Sequence, residues 1–244
     1  MPRRTLDRFL SRSGAASRTE AATLIESGRV AVNGRRVFDP GQWIDPDRDE
    51  VTLDGERVTR TASRVALFNK PRGVLVTRHD PQGRPTVTDT LPAPFSDDSA
   101  LKPVGRLDQA SAGLLLFVTD TDLGARLLDP EHHVAKRYRV KLRPAPSESG
   151  LEAWREGMEI GDSTPTLPAE VEVERLGEKS GVVTVTLVEG RNRQIRRMAE
   201  ATGAEVEWLV RTHFGPLELG DLPPGEARWA TAEERAALER ASRG

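Results

Sequence analysis

The chain has 244 residues, 36% of them hydrophobic and 30% charged, enough to bury a core in one or two domains beneath a wet, charged surface. No cysteine is present, which excludes disulfides and thiolate metal sites and permits a reducing compartment. The basic start Met1-Pro2-Arg3-Arg4 leads into no apolar stretch of signal-peptide length and no run approaches a membrane span, so the expectation is a cytoplasmic protein.

A formal net charge of −2 would by itself argue against a nucleic-acid partner, but the charges are segregated. Residues 1–36 carry eight arginines against three acids, and residues 39–56 carry seven acids against Arg48 alone. Residues 136–143 hold five basic groups and no acid, whereas residues 144–180 hold nine acids against three bases. Such blocks point to basic faces that meet a partner and acidic faces that meet solvent; ordinary solvated faces are the alternative wherever no motif coincides with a block.

In chain order, Leu6, Phe9 and Leu10 recur at helical spacing in a first helix near 5–13. Ser17 followed by Glu20 is a capping-box signature for a second helix, whose apolar stripe Ala21, Ala22, Leu24 and Ile25 stops at Gly28. Val30 to Val32, then Asn33-Gly34, then Val37 read as a strand, a type I′ turn and a returning strand. Residues 57–64 lack periodicity and read as a linker. Strands are predicted at 65–69, 74–77, 113–118, 136–142, 168–176 and 182–188, and helices at 121–128, 150–157, 191–202 and 231–241. The proline-rich stretch 78–98 reads as a long surface loop. This order describes an α+β protein with a mainly antiparallel or mixed sheet, a small domain over 1–60 and a larger one over 65–244.

The most informative stretch runs Val104-Gly105-Arg106-Leu107-Asp108-Gln109-Ala110-Ser111-Ala112-Gly113-Leu114-Leu115, with one acid between a basic residue and an apolar strand. Taken alone, a loop aspartate is most often an Asx turn or a helix cap. Three other segments accompany it: Asn69-Lys70-Pro71-Arg72-Gly73, Lys136-Arg137-Tyr138-Arg139-Val140, and Glu189-Gly190-Arg191-Asn192-Arg193-Gln194-Ile195-Arg196-Arg197-Met198. Together the four resemble the RsuA-type pseudouridine synthases, which isomerise chosen uridines in ribosomal RNA, and the resemblance covers nearly the whole chain. Residues 1–60 are similar to the αL RNA-binding module first known from a small-subunit ribosomal protein.

The resemblance implies an isomerase that needs no cofactor and no metal. The bond from uracil N1 to ribose C1′ breaks, the base turns, and the bond re-forms at C5, with atoms balanced and no redox change. A carboxylate must act as nucleophile or as base, and the resemblance gives that part to Asp108. It makes Tyr138, the only tyrosine, a stacking platform for uracil; a strand tyrosine with its hydroxyl at the surface is the ordinary alternative. It makes Arg196 the partner of the catalytic carboxylate, although Arg193, Arg196 and Arg197 would also suit a solvated helix side.

Arg106 is then expected to fill the gap left by a flipped base, Arg193 and Arg197 to contact phosphate, and Lys70 to stand in the pocket wall near the carboxylate or the RNA. Arg3, Arg8, Arg12, Arg18, Arg29, Arg35 and Arg36 are expected to grip RNA from the N-terminal module. The expected partner is ribosomal RNA or a pre-ribosomal subunit, met by a monomer away from any membrane. Two other readings stay open: a non-catalytic RNA-binding ribosome-assembly factor, and an RNA glycosidase that releases free uracil. His132 and His133 are adjacent and lack metal-ligand spacing, and the signatures GxxxxGKS/T, GxGxxG and GxSxG are absent, so metal, nucleotide and serine-hydrolase chemistry lack their usual marks.

Overall fold

The structure is a computed structural model that describes residues 3–59, 63–77 and 79–243, with the side chain of Arg18 also outside the description. The chain divides into two compact units, Met1–Ser63 and Arg64–Gly244.

In the first unit, β1 (Arg4–Thr5) leads into α1 (Leu6–Ser13) and α2 (Arg18–Glu26). There follow β2 (Val30–Val32), β3 (Arg35–Arg36), β4 (Trp43–Ile44), β5 (Val51–Leu53) and β6 (Glu56–Arg57). The apolar stripes of the two helices, Leu6, Phe9 and Leu10 with Ala21 and Ile25, pack against Val30, Val32, Ile44 and Val51 to close a small core. The Ser17–Glu20 capping box forms, each side chain taking the other residue's backbone N–H. Asn33 and Gly34 both take positive φ, as a two-residue hairpin turn of this type requires. The linker begins later than expected, because Arg57 pairs with Thr52 in a hairpin; residues 60–62 lie outside the described residues.

The second unit contains β7 (Val65–Lys70), α3 (Val87–Thr90), β8 (Lys102–Pro103), β9 (Ala112–Val118), α4 (Thr121–Leu128), β10 (Lys136–Arg143) and α5 (Glu148–Glu156). It continues with β11 (Glu170–Leu176), β12 (Gly181–Leu187), α6 (Gln194–Ala201), β13 (Glu205–Phe214), β14 (Leu217–Glu218), β15 (Ala227–Trp229) and α7 (Ala232–Ala241). Its strands form one mixed sheet in the order β11-β12-β10-β13-β9-β7-β15, with β14 on β13 and β8 on β9. All of these pairings are antiparallel except that of β13 with β9, which run parallel through two residue pairs, Val210 with Ala112 and Arg211 with Gly113. This short joint connects the half β11 to β13 with the half β9 to β15. Leu151, Trp154, Ile195 and Met198 of α5 and α6 cover the first half, and Leu123, Leu127 and Leu238 of α4 and α7 cover the second. No helix among the described residues is long and apolar enough to cross a membrane.

Besides several short unpredicted strands, among them β8, β14 and β15, the structure departs from the predicted elements in three larger respects. Residues 74–77 form no strand; Leu75 makes only an isolated bridge to Thr86. Their backbone groups are engaged elsewhere, since the Val74 carbonyl accepts from the Lys70 ammonium and Leu75 N donates to Pro85 O. The stretch 78–98 is not all loop, because Thr86 and Asp89 form a capping box that opens α3 despite the surrounding prolines. Nor does β13 have a counterpart among the predicted strands. A charged residue, Arg211, shares its buried face with Leu209 and Phe214, which breaks the alternation that marks a strand.

Gly113 has φ +102°, and a Cβ there would lie 2.4 Å from Arg211 O and 2.6 Å from Arg211 N. The obstacle is backbone at the centre of the sheet, which has little room to shift. Gly113→Ala is therefore expected to destabilise the larger unit by at least about 3 kcal/mol. The urea midpoint of the intact chain measures this, and an unchanged midpoint would contradict so close an approach.

Candidate active site

Asp108 lies at the tip of the β8–β9 hairpin. Lys102 pairs with Val118 and Pro103 with Phe117, Val104 N donates to Leu116 O at 2.7 Å, and buried Leu107 and Ser111 anchor the loop on either side. Gln109 ties the loop to Gly73, accepting from Gly73 N at 2.7 Å and donating through Nε2 to Gly73 O at 3.1 Å. The local turn is closed by main chain alone, with Ser111 N donating to Asp108 O at 3.0 Å. Among the described residues no N–H donates to the Asp108 carboxylate, so this side chain makes neither an Asx turn nor a cap. Backbone holds it in place and both of its oxygens stay open.

Across the joint, α6 aims Arg196 at this acid. Arg196 Nε is 3.9 Å from Asp108 Oδ2, and this buried nitrogen has no hydrogen-bond partner among the described residues. The other nitrogens fix the guanidinium plane: Nη1 donates to Val206 O at 3.3 Å, and Nη2 to Ala110 O at 3.2 Å and Ser111 Oγ at 3.4 Å. Burial pushes Arg196 down from its ordinary value; the attraction of Asp108 opposes this, and Arg193 and Arg72 add repulsion. The group nevertheless stays charged, as arginine does.

Asp108, Arg196, Tyr138, Arg106 and Arg193 line one cavity of about 410 Å³, a size that suits a small organic ligand. Tyr138, on β10 opposite Val185 and Arg211, packs from behind against both neighbouring core clusters, which fixes its ring. Apolar Leu187, Ile195, Leu209 and Phe214 supply much of the remaining wall.

Residues 64–201 match the family model described as RNA pseudouridylate synthase, and residues 4–49 match that of the S4 domain. The chain belongs to the RNA pseudouridylate synthase family. It is an RNA pseudouridine synthase, and hence an isomerase. An uncharacterized RNA pseudouridine synthase of Mycobacterium leprae is 39% identical over 230 residues, covering 94% of this chain and 90% of that protein. The ribosomal large subunit pseudouridine synthase B of Bacillus subtilis is 34% identical over 231 residues, covering 94% and 93%. A crystal structure of a pseudouridylate synthase superposes over 96% of this chain and 99% of its own, with a TM-score of 0.66 at 31% identity.

Of the residues expected to meet RNA in this pseudouridine synthase, Arg106 and Arg193 are exposed at the cavity. Lys70 and Arg197 are not available. Lys70 is 0% exposed and lies outside the cavity lining; its ammonium donates to Pro71 O at 2.8 Å and Val74 O at 2.7 Å. It braces the turn whose Gly73 holds Gln109, so it supports the Asp108 loop from behind. Arg197 donates from Nε to Ile160 O at 3.0 Å and from Nη1 and Nη2 to Asp162 at 3.2 and 2.6 Å. Consecutive helical residues point about 100° apart, so Arg196 faces the joint while Arg197 faces the loop at 160–162.

In the S4 unit Arg3, Arg8, Arg35 and Arg36 are exposed and Arg12 is half-buried, while Arg18's side chain lies outside the described residues. Arg29 is engaged within the unit, donating to Asp54 from Nε at 2.9 Å and from Nη2 at 2.5 Å. That pair pins the β5–β6 turn and leaves Arg29 no free fork for phosphate.

From sequence neither Lys136, Arg191 nor Arg211 stands out, yet all three line the cavity. Lys136 precedes Tyr138 by two positions and so shares its strand face, a signal that period two does carry. Arg211 sits on the unpredicted β13. Arg191 donates to Glu189 at 2.9 Å and to Thr164 O at 2.6 Å, and thereby holds the loop ahead of α6.

Burial pushes the Lys70 ammonium down to about 8, with the attraction of Asp108 partly opposing. Between about pH 8 and the ordinary 10.5 the unfolded chain therefore holds a proton that the folded chain has released, and stability contributed by this group rises with pH. The wild type is expected to gain up to about 3 kcal/mol relative to Lys70→Met over that interval, read from urea unfolding of both proteins at its two ends. A constant difference would show that burial does not perturb Lys70.

Proposed function

We propose that this enzyme converts a uridine of ribosomal RNA to pseudouridine with Asp108 as its catalytic carboxylate. One observation carries the assignment: among the described residues the Asp108 carboxylate has no hydrogen bond, yet lies 3.9 Å from a buried, otherwise unpartnered arginine nitrogen in the cavity that Tyr138 lines. The choice of ribosomal RNA rests on the likeness to the Bacillus subtilis ribosomal large subunit enzyme and on the S4 match, which make large-subunit RNA the first substrate to test.

Asp108 acts at ribose C1′, at the pyrimidine ring, or as base at C2′. In each course the N1–C1′ electron pair leaves with uracil, C1′ bonds to C5, and the proton released from C5 is balanced by one gained at N1. Arg196 holds the carboxylate by charge without occupying its oxygens with hydrogen bonds. The Tyr138 ring is the surface over which the detached base turns, and the apolar walls keep water from capturing the sugar. Extracting the base costs roughly a few kcal/mol, and Arg106 at the cavity fills the space it leaves. Residues 65–244 form the catalytic domain, and residues 1–60 grip RNA through Arg3, Arg8, Arg12, Arg35 and Arg36. Asp108, Tyr138 and Arg196 all come from one chain, which suits a monomer.

Unmodified large-subunit RNA carrying tritium at uracil C5 should release it as water with wild-type enzyme. Asp108→Asn should slow release at least about a thousandfold while binding stays within about threefold. Substantial turnover by that variant would remove Asp108 from the chemistry. Arg193→Ala should weaken RNA binding and lower the slope of log K against log salt by about one. Arg197→Ala should leave that slope unchanged and lower the melting temperature instead, because its contacts are internal.

A further inference from the structure

The cavity contains a second group of charges that the Asp108 chemistry does not use. Lys136 is 8% exposed and Arg211 3%, and both line the wall. They flank Phe214, with Lys136 Nζ 5.4 Å and the Arg211 guanidinium carbon 5.2 Å from the ring centroid. Arg211 anchors itself by donating from Nε to Leu114 O at 2.7 Å, but its buried Nη2 has no hydrogen-bond partner among the described residues. The Lys136 ammonium has neither hydrogen bond nor ion pair among them, and it lies over the Phe214 ring.

The acids of the cavity are engaged elsewhere. Asp108 faces Arg196, and Glu189 accepts from Arg191, Gln194 and the Leu167 N–H. Burial pushes Lys136 down to about 8, and the repulsion of Arg211 adds to it. Two neighbouring, largely buried cations without an anionic partner among the described residues destabilise the fold that carries them. Apolar residues would pack this wall as well, so the pair points to a negatively charged ligand.

We infer that Lys136 and Arg211 form a phosphate subsite that takes the phosphodiester group adjoining the flipped uridine. This rests on the reading of the Asp108 cavity as the uridine site. The carbonyls of uracil carry only partial charge, and the detached base is charged only during the reaction. Every uridine in RNA, by contrast, brings a full negative charge on each side of its ribose. A singly charged group with two free oxygens matches one ammonium and one open guanidinium edge. Exposed Arg106 and Arg193 serve phosphates that stay in solvent, whereas the buried pair suits one drawn inward with the nucleotide. Filling the subsite relieves the repulsion between the two cations, which offsets part of the work of extracting the base. The family match ends at residue 201, so Arg211 lies beyond the segment that it covers.

The test uses the full chain and its single tyrosine. Ring-labelled Tyr138 gives one nuclear magnetic resonance signal inside the cavity, followed while uridine, uridine 3′-monophosphate and uridine 5′-monophosphate are titrated in. One of the two nucleotides is expected to bind at least about tenfold tighter than uridine, and which one it is tells which side of the ribose is held. The preference should vanish in Lys136→Met and persist in Lys136→Arg. Lys136→Met removes an unpaired buried charge, so it should melt no lower than wild type and a loss of preference will not reflect misfolding. Equal affinity for all three ligands would overturn the subsite, as would no response of Tyr138 up to tens of millimolar. A preference that survives Lys136→Met would do the same, even if that variant slowed turnover, because the lysine would then serve the base. Tritium release by Asp108→Asn is a separate measurement, so failure of the subsite and failure of the Asp108 assignment can be told apart.

Discussion

The larger unit is two half-sheets joined through two residue pairs, and the constraint at that joint is space. At Gly113 the backbones of β9 and β13 approach so closely that only a hydrogen fits between them. Parallel pairing is slightly weaker per residue than antiparallel pairing, and two pairs are few. Arginine side chains add to it: Arg211 donates to Leu114 O, and Arg196 donates to Ala110 O and Ser111 Oγ. Both reach from the first half of the sheet to groups of the second. The catalytic constellation we propose spans the same joint, with Asp108 on a hairpin of one half and Tyr138 and Arg196 on the other. Its geometry therefore depends on how tightly the halves meet, which ties the architecture of the sheet to the chemistry.

Charge is arranged around this crevice in a way that blocks of sequence do not convey. Six basic side chains line the cavity, Arg106, Lys136, Arg191, Arg193, Arg196 and Arg211, against the two acids Asp108 and Glu189. A chain with net charge −2 thus presents a cationic pocket. The basic run 136–143, by contrast, is no open basic face. Arg137 and Arg139 pair with Glu172 and Glu174 of β11, and Lys141 and Arg143 with Glu207 of β13. The acidic and basic blocks that looked like opposed surfaces are neighbours across the sheet and largely neutralise one another. Lys136, on the inward face of the same strand, is left to the cavity.

Much of the local structure was legible because it is decided by neighbours in the chain. The Ser17–Glu20 box, the Asn33-Gly34 turn and the apolar stripe of α1 need only a few adjacent residues and formed as expected. The same kind of signal, Thr86 with Asp89, opened α3 inside a stretch whose prolines had suggested an unbroken loop. Residues of the candidate site were legible through the resemblance of four ordered segments, since by type alone a loop acid or a strand tyrosine has an ordinary structural reading. An acid beside an apolar strand, a lone tyrosine on a basic strand and an arginine on a helix were all visible before any contact was known. Lys70 lies near Asp108 as expected but behind the loop instead of in the cavity wall, and Arg197 turns to Ile160 O and Asp162, because a basic residue looks the same in sequence whether its charge meets phosphate or a protein oxygen.

The sequence by itself determined the two-part α+β organisation, the caps and turns, and the choice of Asp108, Tyr138 and Arg196 as candidates. The organisation, caps and turns rest on residue type and short spacing, and the three candidate residues on the resemblance of four ordered segments. Only the tertiary structure decided which cations remain free. That outcome depends on β13, whose buried arginine hides the alternation of a strand, and on which oxygen each guanidinium and ammonium meets after the halves close. Arg197 and Lys70 meet protein oxygens and become supports. Arg196 meets the open carboxylate, and among the described residues Lys136 and Arg211 meet none that could neutralise them. Pairing of charges is settled by distance in space, and residues brought together across a sheet lie as much as 163 positions apart in the chain, as Ala66 and Trp229 do, beyond the reach of any local pattern.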